Sequence, residues 1–178
     1  MCLGLYVDYF IFFSEDKEVE EKFKLKLSKL TNVDFLGQDS NFLGLKFQWR
    51  QGSDRVQAHN SQEAFADTLV EQAGLSSLSV TAHKTPYRFS YPVDSIKADP
   101  TLNENQRLAI QAQYRSLVGP LLWISQGTRP DLSTITNMLA KHQNCPNNEH
   151  IASAKYAIKY LNGTKSRGIR FDSQSEEK

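Results

Sequence analysis

"LYVDYFIFF", residues Leu5–Phe13, decides how this chain is read. Aromatic and β-branched residues flank a single carboxylate, Asp8, in a composition suited to strands. A lone charge between two apolar strands is costly unless it is paired or bound to a metal. Two readings compete. Asp8 can mark a turn, where its side chain bonds nearby backbone as two strands reverse, or it can be a metal ligand at the tip of a hairpin. Both predict a β-hairpin over Leu3–Phe13, centred near Asp8 and Tyr9.

Working outward, Ser14 is the expected N-cap of a helix whose first turn carries Glu15, Asp16 and Glu18. In "SEDKEVEEKFKLKLSKL" Val19, Phe23, Leu27 and Leu30 recur at helical spacing, which predicts an amphipathic helix lying on a sheet. From Asp34 to His59 the period changes. Phe42, Leu43, Leu45, Phe47 and Trp49 alternate with small or polar residues, and "RQGSDR" supplies a turn before "VQAHN". Asn60 or Ser61 is expected to cap a helix to about Gln72, with Phe65, Leu69 and Val70 inward and Gly74 as its stop. Ser76 to Asn103, with Pro86, Pro92 and Pro100, reads as an extended linker.

The remainder reads as helical. Gln106–Ser125 is apolar along one side but interrupted by Gly119 and Pro120. After "GTRPDLS", with Pro130 preset for a first turn, a helix is expected to about His142. "PNNEHIASAKYAIKYLNGT" predicts another, with Ile151, Ala154, Ile158 and Leu161 inward and Gly163 as the stop. "GIRF" predicts a short strand, and "DSQSEEK" a disordered tail.

Composition narrows the class. A chain of 178 residues with 39% hydrophobic and 23% charged residues can bury a core. Its net charge of +1 argues neither for nor against nucleic acid. Cys2 and Cys145 suggest no disulfide framework. No apolar run approaches the ~20 residues that span a bilayer, and the start lacks a signal peptide's basic region. An intracellular location, cytoplasmic or nuclear, is the expectation, with no membrane partner. An apolar run beginning almost at Met1 suggests a chain that starts inside a fold.

The landmarks "LYVDYFIFF", "FLGLKFQWR", "HNSQEAFADTLVEQAGL", "TPYRFSYPVD", "YRSLVGPLLWISQGTRPDLS" and "EHIASAKYAIKYLNGTKSRGI" follow one another in an order that resembles reverse transcriptases of copia-type retrotransposons. The resemblance runs from about Leu3 to Phe171. It implies an RNA-directed DNA polymerase whose palm hairpin reads Tyr-Val-Asp-Asp and holds carboxylates for two Mg2+ or Mn2+ ions. Such a pair stabilises the attacking 3′-hydroxyl and the leaving pyrophosphate. Tyr6, Val7 and Asp8 match the first three positions, and Tyr9 stands where the second Asp belongs, a phenol in place of a carboxylate. The resemblance begins at this hairpin, so the fingers and the palm strand bearing the other essential Asp are expected to be absent. It ends before the ribonuclease H domain.

The implied fold is α+β: a partial palm sheet with its helix (1–58), a thumb-like helix and linker (59–104), a helical connection region (105–172) and a tail (173–178). The chain is expected to be inactive alone and to need no cofactor alone, with Asp8 a metal ligand only if another chain completes the site. Phe42 and Gly44 lie in the part that resembles the hairpin supporting the primer terminus. Lys155, Lys159, Lys165, Arg167 and Arg170, interleaved with Tyr156 and Tyr160, form a basic C-terminal stretch. Between Lys141 and Arg170 there are six Lys or Arg against Glu149 alone, a pattern able to neutralise phosphates or simply to be a solvated face. Expected partners are an RNA/DNA template–primer and a chain supplying the missing palm and fingers. Two alternatives stay open: a nucleic-acid-binding module left from thumb and connection, and a host-used interaction domain pairing through exposed sheet edges. "HQNCPNNEH" brings His142, Cys145 and His150 close in sequence but fits no zinc pattern.

Overall fold

The strand-rich N-terminal run folds as two antiparallel strands, β1 (Cys2–Tyr6) and β2 (Tyr9–Phe13). They pair from Cys2↔Phe13 to Tyr6↔Tyr9, so Val7 and Asp8 alone form the turn. The computed structural model describes residues 1–14, 16–37, 41–51, 56–76, 83–87, 93–97 and 99–173. Glu15, residues 52–55 of the expected turn and residues 174–178 of the expected tail lie outside them, as do 77–82 and 88–92 of the expected linker.

Helix α1 (Lys17–Leu30) starts two residues later than expected. The cap is Asp16, whose carboxylate accepts from the Glu18 N–H at 2.8 Å, while Ser14 Oγ only accepts from the Asp16 N–H at 3.3 Å. A carboxylate satisfies an orphan donor and also meets the positive end of the helix dipole, so it wins over the hydroxyl. Phe23 packs on the Phe10 and Phe12 rings of β2, with centroids 6.5 and 4.9 Å away. Leu27 is half-buried. Val19 and Leu30, the other two members of the predicted stripe, are 40% and 83% exposed, because the two-stranded hairpin is too narrow to cover them.

A second sheet has the order β3 (Asn41–Phe42), β4 (Leu45–Gln51), β5 (Val56–Ser61), β6 (Ile169–Asp172), antiparallel throughout. The "GIRF" strand therefore docks beside a strand more than a hundred residues earlier. Ser173, expected in the tail, continues that ladder: its N–H donates to the Val56 carbonyl at 3.0 Å and its Oγ accepts from the Val56 N–H at 2.9 Å.

Asn60 and Ser61, expected as helix caps, are the last residues of β5. Helix α2 (Glu63–Gln72) begins after Gln62, whose side chain makes no cap bond and instead accepts from Thr128 Oγ1 at 3.0 Å. Gly74, at φ +70°, ends it as expected. Helix α3 (Glu104–Gly127) runs unbroken through Gly119 and Pro120, contrary to the sequence expectation. Proline costs ~3 kcal/mol in a helix interior; Leu117, Val118, Leu121 and Ile124, all at most 3% exposed, straddle it and offset that cost.

A 3-10 turn (Pro130–Leu132) leads into α4 (Ser133–Ala140), and an Asn147–His150 capping box opens α5 (Asn148–Asn162). Ile151, Ala154, Ile158 and Leu161 are all buried, as their spacing predicts. The core lies among α2, α3, α4 and α5, with the Tyr114 hydroxyl donating to the Leu139 carbonyl at 2.7 Å at its centre. The stretch read as a linker contributes to it: Val93, in a short 3-10 turn (Val93–Ser95), and Ile96 are 3% and 9% exposed. The chain is α+β, as the sequence implies, and no helix among the described residues is long and apolar enough to cross a membrane.

Candidate functional site

Asp8 stands exposed at the tip of the β1–β2 hairpin, so the cost of burying its charge does not arise. Its neighbour Val7 has φ +50°. A positive φ at the first turn position belongs to the mirror-image hairpin turns, where glycine is the easy choice and a β-branched residue is strained. Tyr9 begins β2, and its ring meets Phe42 edge-on with centroids 6.1 Å apart. The Phe42 strand turns at Leu43 and Gly44, with φ of +52° and +77°. Two consecutive positive φ values make a tight turn of the kind that fits the twist of the flanking strands. Two strained hairpin turns are thus linked through Tyr9 and Phe42, and the structure brings Asp8, Tyr9, Phe42 and Gly44 into one region.

Among the described residues no three His, Cys, Asp or Glu side chains gather to hold an ion. The described residues do not fit the metal pair that the sequence resemblance implies.

The basic residues of the C-terminal stretch do not form one open surface. Lys165 donates to Asp67 of α2 at 2.6 Å, and that bond raises the Lys165 pKa. Arg167 reaches the Tyr160 hydroxyl at 3.4 Å. Tyr160 itself is 5% exposed, and Tyr156 stacks on His83 with centroids 4.0 Å apart, so neither ring is an open platform. Lys155 and Lys159 are half-exposed on α5.

The chain resembles known proteins along nearly its full length. A Pol polyprotein from transposon TNT 1-94 of Nicotiana tabacum is 27% identical over 92% of the chain and 12% of its own length. A transposon Ty5-1 protein of Saccharomyces cerevisiae is 25% identical over 98% of the chain and 53% of its own. The homologues are retrotransposon proteins of the Ty/copia type. An uncharacterized mitochondrial protein of Arabidopsis thaliana is 23% identical over 99% of the chain and 67% of its own length. These similarities support a chain derived from a retrotransposon Pol polyprotein, of which it spans only part. No protein-family profile matches it, and no solved structure does.

The sequence reading missed two polar groupings. One is buried. Arg129, 2% exposed in "GTRPD", donates from Nε and Nη2 to the two Asp131 oxygens at 2.9 and 2.8 Å, and from Nη1 to the Thr164 carbonyl at 2.9 Å. The Tyr160 hydroxyl donates to Asp131 Oδ2 at 2.7 Å. Burial pushes the Asp131 pKa up, but the guanidinium and the phenol outweigh it and hold it below the usual value. The same group ties α3, α4 and the end of α5 together and is structural. Its signal in sequence is only an Arg and an Asp flanking Pro130.

The other grouping lies on the second sheet. Register puts Gln48, His59 and Arg170 in one cross-strand row, and Arg50, Gln57 and Asp172 in the next. These residues alternate with Phe47, Trp49, Ala58, Ile169 and Phe171, which take the other face. Gln57 donates to Asp172 Oδ2 at 2.9 Å. Alternation in "KFQWR", "VQAHN" and "GIRFD" is the signal that marks this face.

Proposed function

We propose that the chain is the palm-hairpin-to-connection part of a reverse transcriptase, descended from a Ty/copia-type Pol polyprotein and catalytically incompetent by itself. The observation that carries this reading is the hairpin tip. Asp8 is presented on a strained two-residue turn, in the position where such polymerases carry a metal-binding carboxylate. Tyr9 occupies the place of the second carboxylate and packs on the hairpin that resembles a primer support. A carboxylate can ligate a hard divalent cation and a phenol at neutral pH does not take its place. One acid cannot hold two ions, so RNA-directed DNA synthesis needs carboxylates from another segment. In this reading the chain keeps affinity for an RNA/DNA template–primer, works in the cytoplasm or nucleus, and acts together with fingers and further palm carboxylates.

The test is primer extension on oligo(dT)–poly(rA) with magnesium or manganese, using the chain alone, its Asp8→Asn variant, and the chain with Tyr9→Asp mixed with the preceding Pol segment of a relative. No incorporation by the chain alone, and incorporation by the mixture that Asp8→Asn removes, is expected. Extension by the chain alone that Asp8→Asn abolishes would overturn the claim of incompetence. A mixture that incorporates equally well with Asp8→Asn would overturn the role given to Asp8.

A further inference from the structure

Strand β1 is exposed along its whole length, whereas β2 is half-covered through Phe10, Ile11 and Phe12. Helix α1 accounts for the difference: Phe23 lies against Phe10 and Phe12, so the helix sits over β2. Leu3 and Leu5 share that face, opposite Phe12 and Phe10 in the register, and remain 53% and 76% exposed beside the helix. Among the described residues no strand pairs with the outer edge of β1. That edge also lacks the devices that usually blunt one. "CLGLY" has no charge and no proline, and its ladder with β2 has no bulge.

The hairpin fixes which backbone groups the edge offers. Residues on either side of a two-residue turn exchange both of their hydrogen bonds, so Tyr6, and then Gly4 and Cys2, turn their N–H and C=O towards β2. Leu3 and Leu5 turn theirs outward. The strand β1 is its own complement for these groups. Two antiparallel copies related by a twofold axis at Gly4 set Leu3 of each opposite Leu5 of the other. Each such pair exchanges two hydrogen bonds, and the leucines meet on the part of the face that α1 leaves open.

Charge agrees with the same axis. A twofold normal to the sheet keeps both α1 helices on one side of it and reverses their direction. The first half of α1 carries Glu18, Glu20 and Glu21, and the second Lys22, Lys24, Lys26 and Lys29. Antiparallel copies therefore set acidic halves beside basic ones. Lys26 and Lys29 make no ion pair among the described residues of one copy, so they are available to the other.

From these three observations we propose that β1 is a self-association edge. Two copies of this chain pair antiparallel through Leu3 and Leu5 about Gly4, giving a symmetric dimer with a continuous four-stranded sheet. A second copy is the occupant because one symmetry operator satisfies the strand edge, the leucines and the helix charges together, which neither a lipid surface nor a polyanion requires. The joined strip is short, so a weak dimer with a dissociation constant of roughly micromolar order is expected. The placement rests on the hairpin and α1 alone and stands independently of the polymerase reading.

Sedimentation velocity of the full chain, at concentrations from well below to well above the micromolar range, tests this. Leu5→Lys changes an exposed side chain on the edge and is expected to raise the dissociation constant by about tenfold or more. Leu108→Lys, the same change on an exposed leucine of α3, is expected to leave it unchanged. Lys26→Glu with Lys29→Glu is expected to weaken the dimer several-fold at low salt and much less at high salt. Tyr6→Cys tests the register, because it puts a thiol opposite the second copy's Cys2 in a non-hydrogen-bonded pair, with Cα atoms about 4.5 Å apart. Within one copy the two positions are about 13 Å apart along the strand and cannot bridge. Oxidation with diamide is expected to link two copies between positions 2 and 6. A chain that stays monomeric throughout, a Leu5→Lys dimer as tight as the parent, or a crosslink joining other positions would overturn the proposal. So would a monomeric chain that cosediments with phosphatidylcholine vesicles, which would assign the edge to a lipid surface.

Discussion

The N-terminal hairpin with α1 and the bundle of α2 to α5 are built on similar patterns and end in opposite states. Both carry apolar residues at helical spacing. In the bundle, Tyr114, Val118, Leu121, Ile124, Ala154 and Ile158 are each 0% exposed. In α1 no residue is buried, and Leu5 and Val7 of the hairpin are 76% and 78% exposed. The difference lies in partners. Each bundle helix meets at least two others, whereas α1, among the described residues, packs through Phe23 on a ribbon two strands wide. Periodicity says which face a helix would bury; it does not say that anything stands opposite.

The contrast can be broken most sharply at Arg129. Arg129→Ala leaves Asp131 and the Thr164 carbonyl without their buried donor and is expected to cost about 3 kcal/mol or more in denaturant unfolding. Slightly smaller, Ile158→Ala opens a cavity in the bundle and is expected to cost about 2–4 kcal/mol, with the unfolding midpoint falling at constant m-value. An Ile158→Ala chain as stable as the parent would mean that the bundle is not the stabilising region.

Acid sharpens the same comparison more gently. His150 is 1% exposed, and burial first, with His142 nearby, lowers its pKa from 6.5 to about 4. The unfolded chain then takes up a proton that the folded chain refuses, so stability falls as pH drops from about 6.5 towards 4. Asp131 adds a second loss at lower pH, because its depressed carboxyl stabilises the fold only while ionised. His150→Gln keeps a side chain able to complete the capping box with Asn147 and is expected to flatten the first step. A midpoint of unfolding that stays constant between pH 6.5 and pH 4.5 would argue against it. At the small end, Leu25→Ala and Leu30→Ala in α1 are expected to change stability by no more than about 0.5 kcal/mol. A loss of several times that would show that the N-terminal unit is covered in solution.

What could be read from the sequence was local. The hairpin reversing at Asp8, the Ile151–Leu161 stripe and the Gly74 stop depend on residues within one or two turns of each other. The misreadings share a cause at longer range. Pro120 breaks a helix on local grounds, but the side chains packed on either side of it hold α3 straight through. Ser61 looks like a cap until β4 claims it for the sheet. Val93 and Ile96 look like linker until the bundle provides a place to bury them. The candidate sites follow the same rule. Asp8 and Phe42 were visible as motif residues. The pairing of Lys165 with Asp67, 98 residues away, was invisible because nothing near either residue announces it. Arg50, His59 and Arg170 alternate correctly in three separate pieces, and only their register assembles them.

The pairing of β5 with β6 also sets an order of events. Val56 and Ser173 are 117 positions apart, and closing so long a loop is slow compared with forming helices from neighbouring turns. While a ribosome is still making the bundle, β5 has a free hydrogen-bonding edge and no native strand to fill it. That edge is open to any extended chain nearby until β6 emerges. Pulsed hydrogen exchange during refolding should find the β5 and β6 amides protected together, after those of α3 and α5.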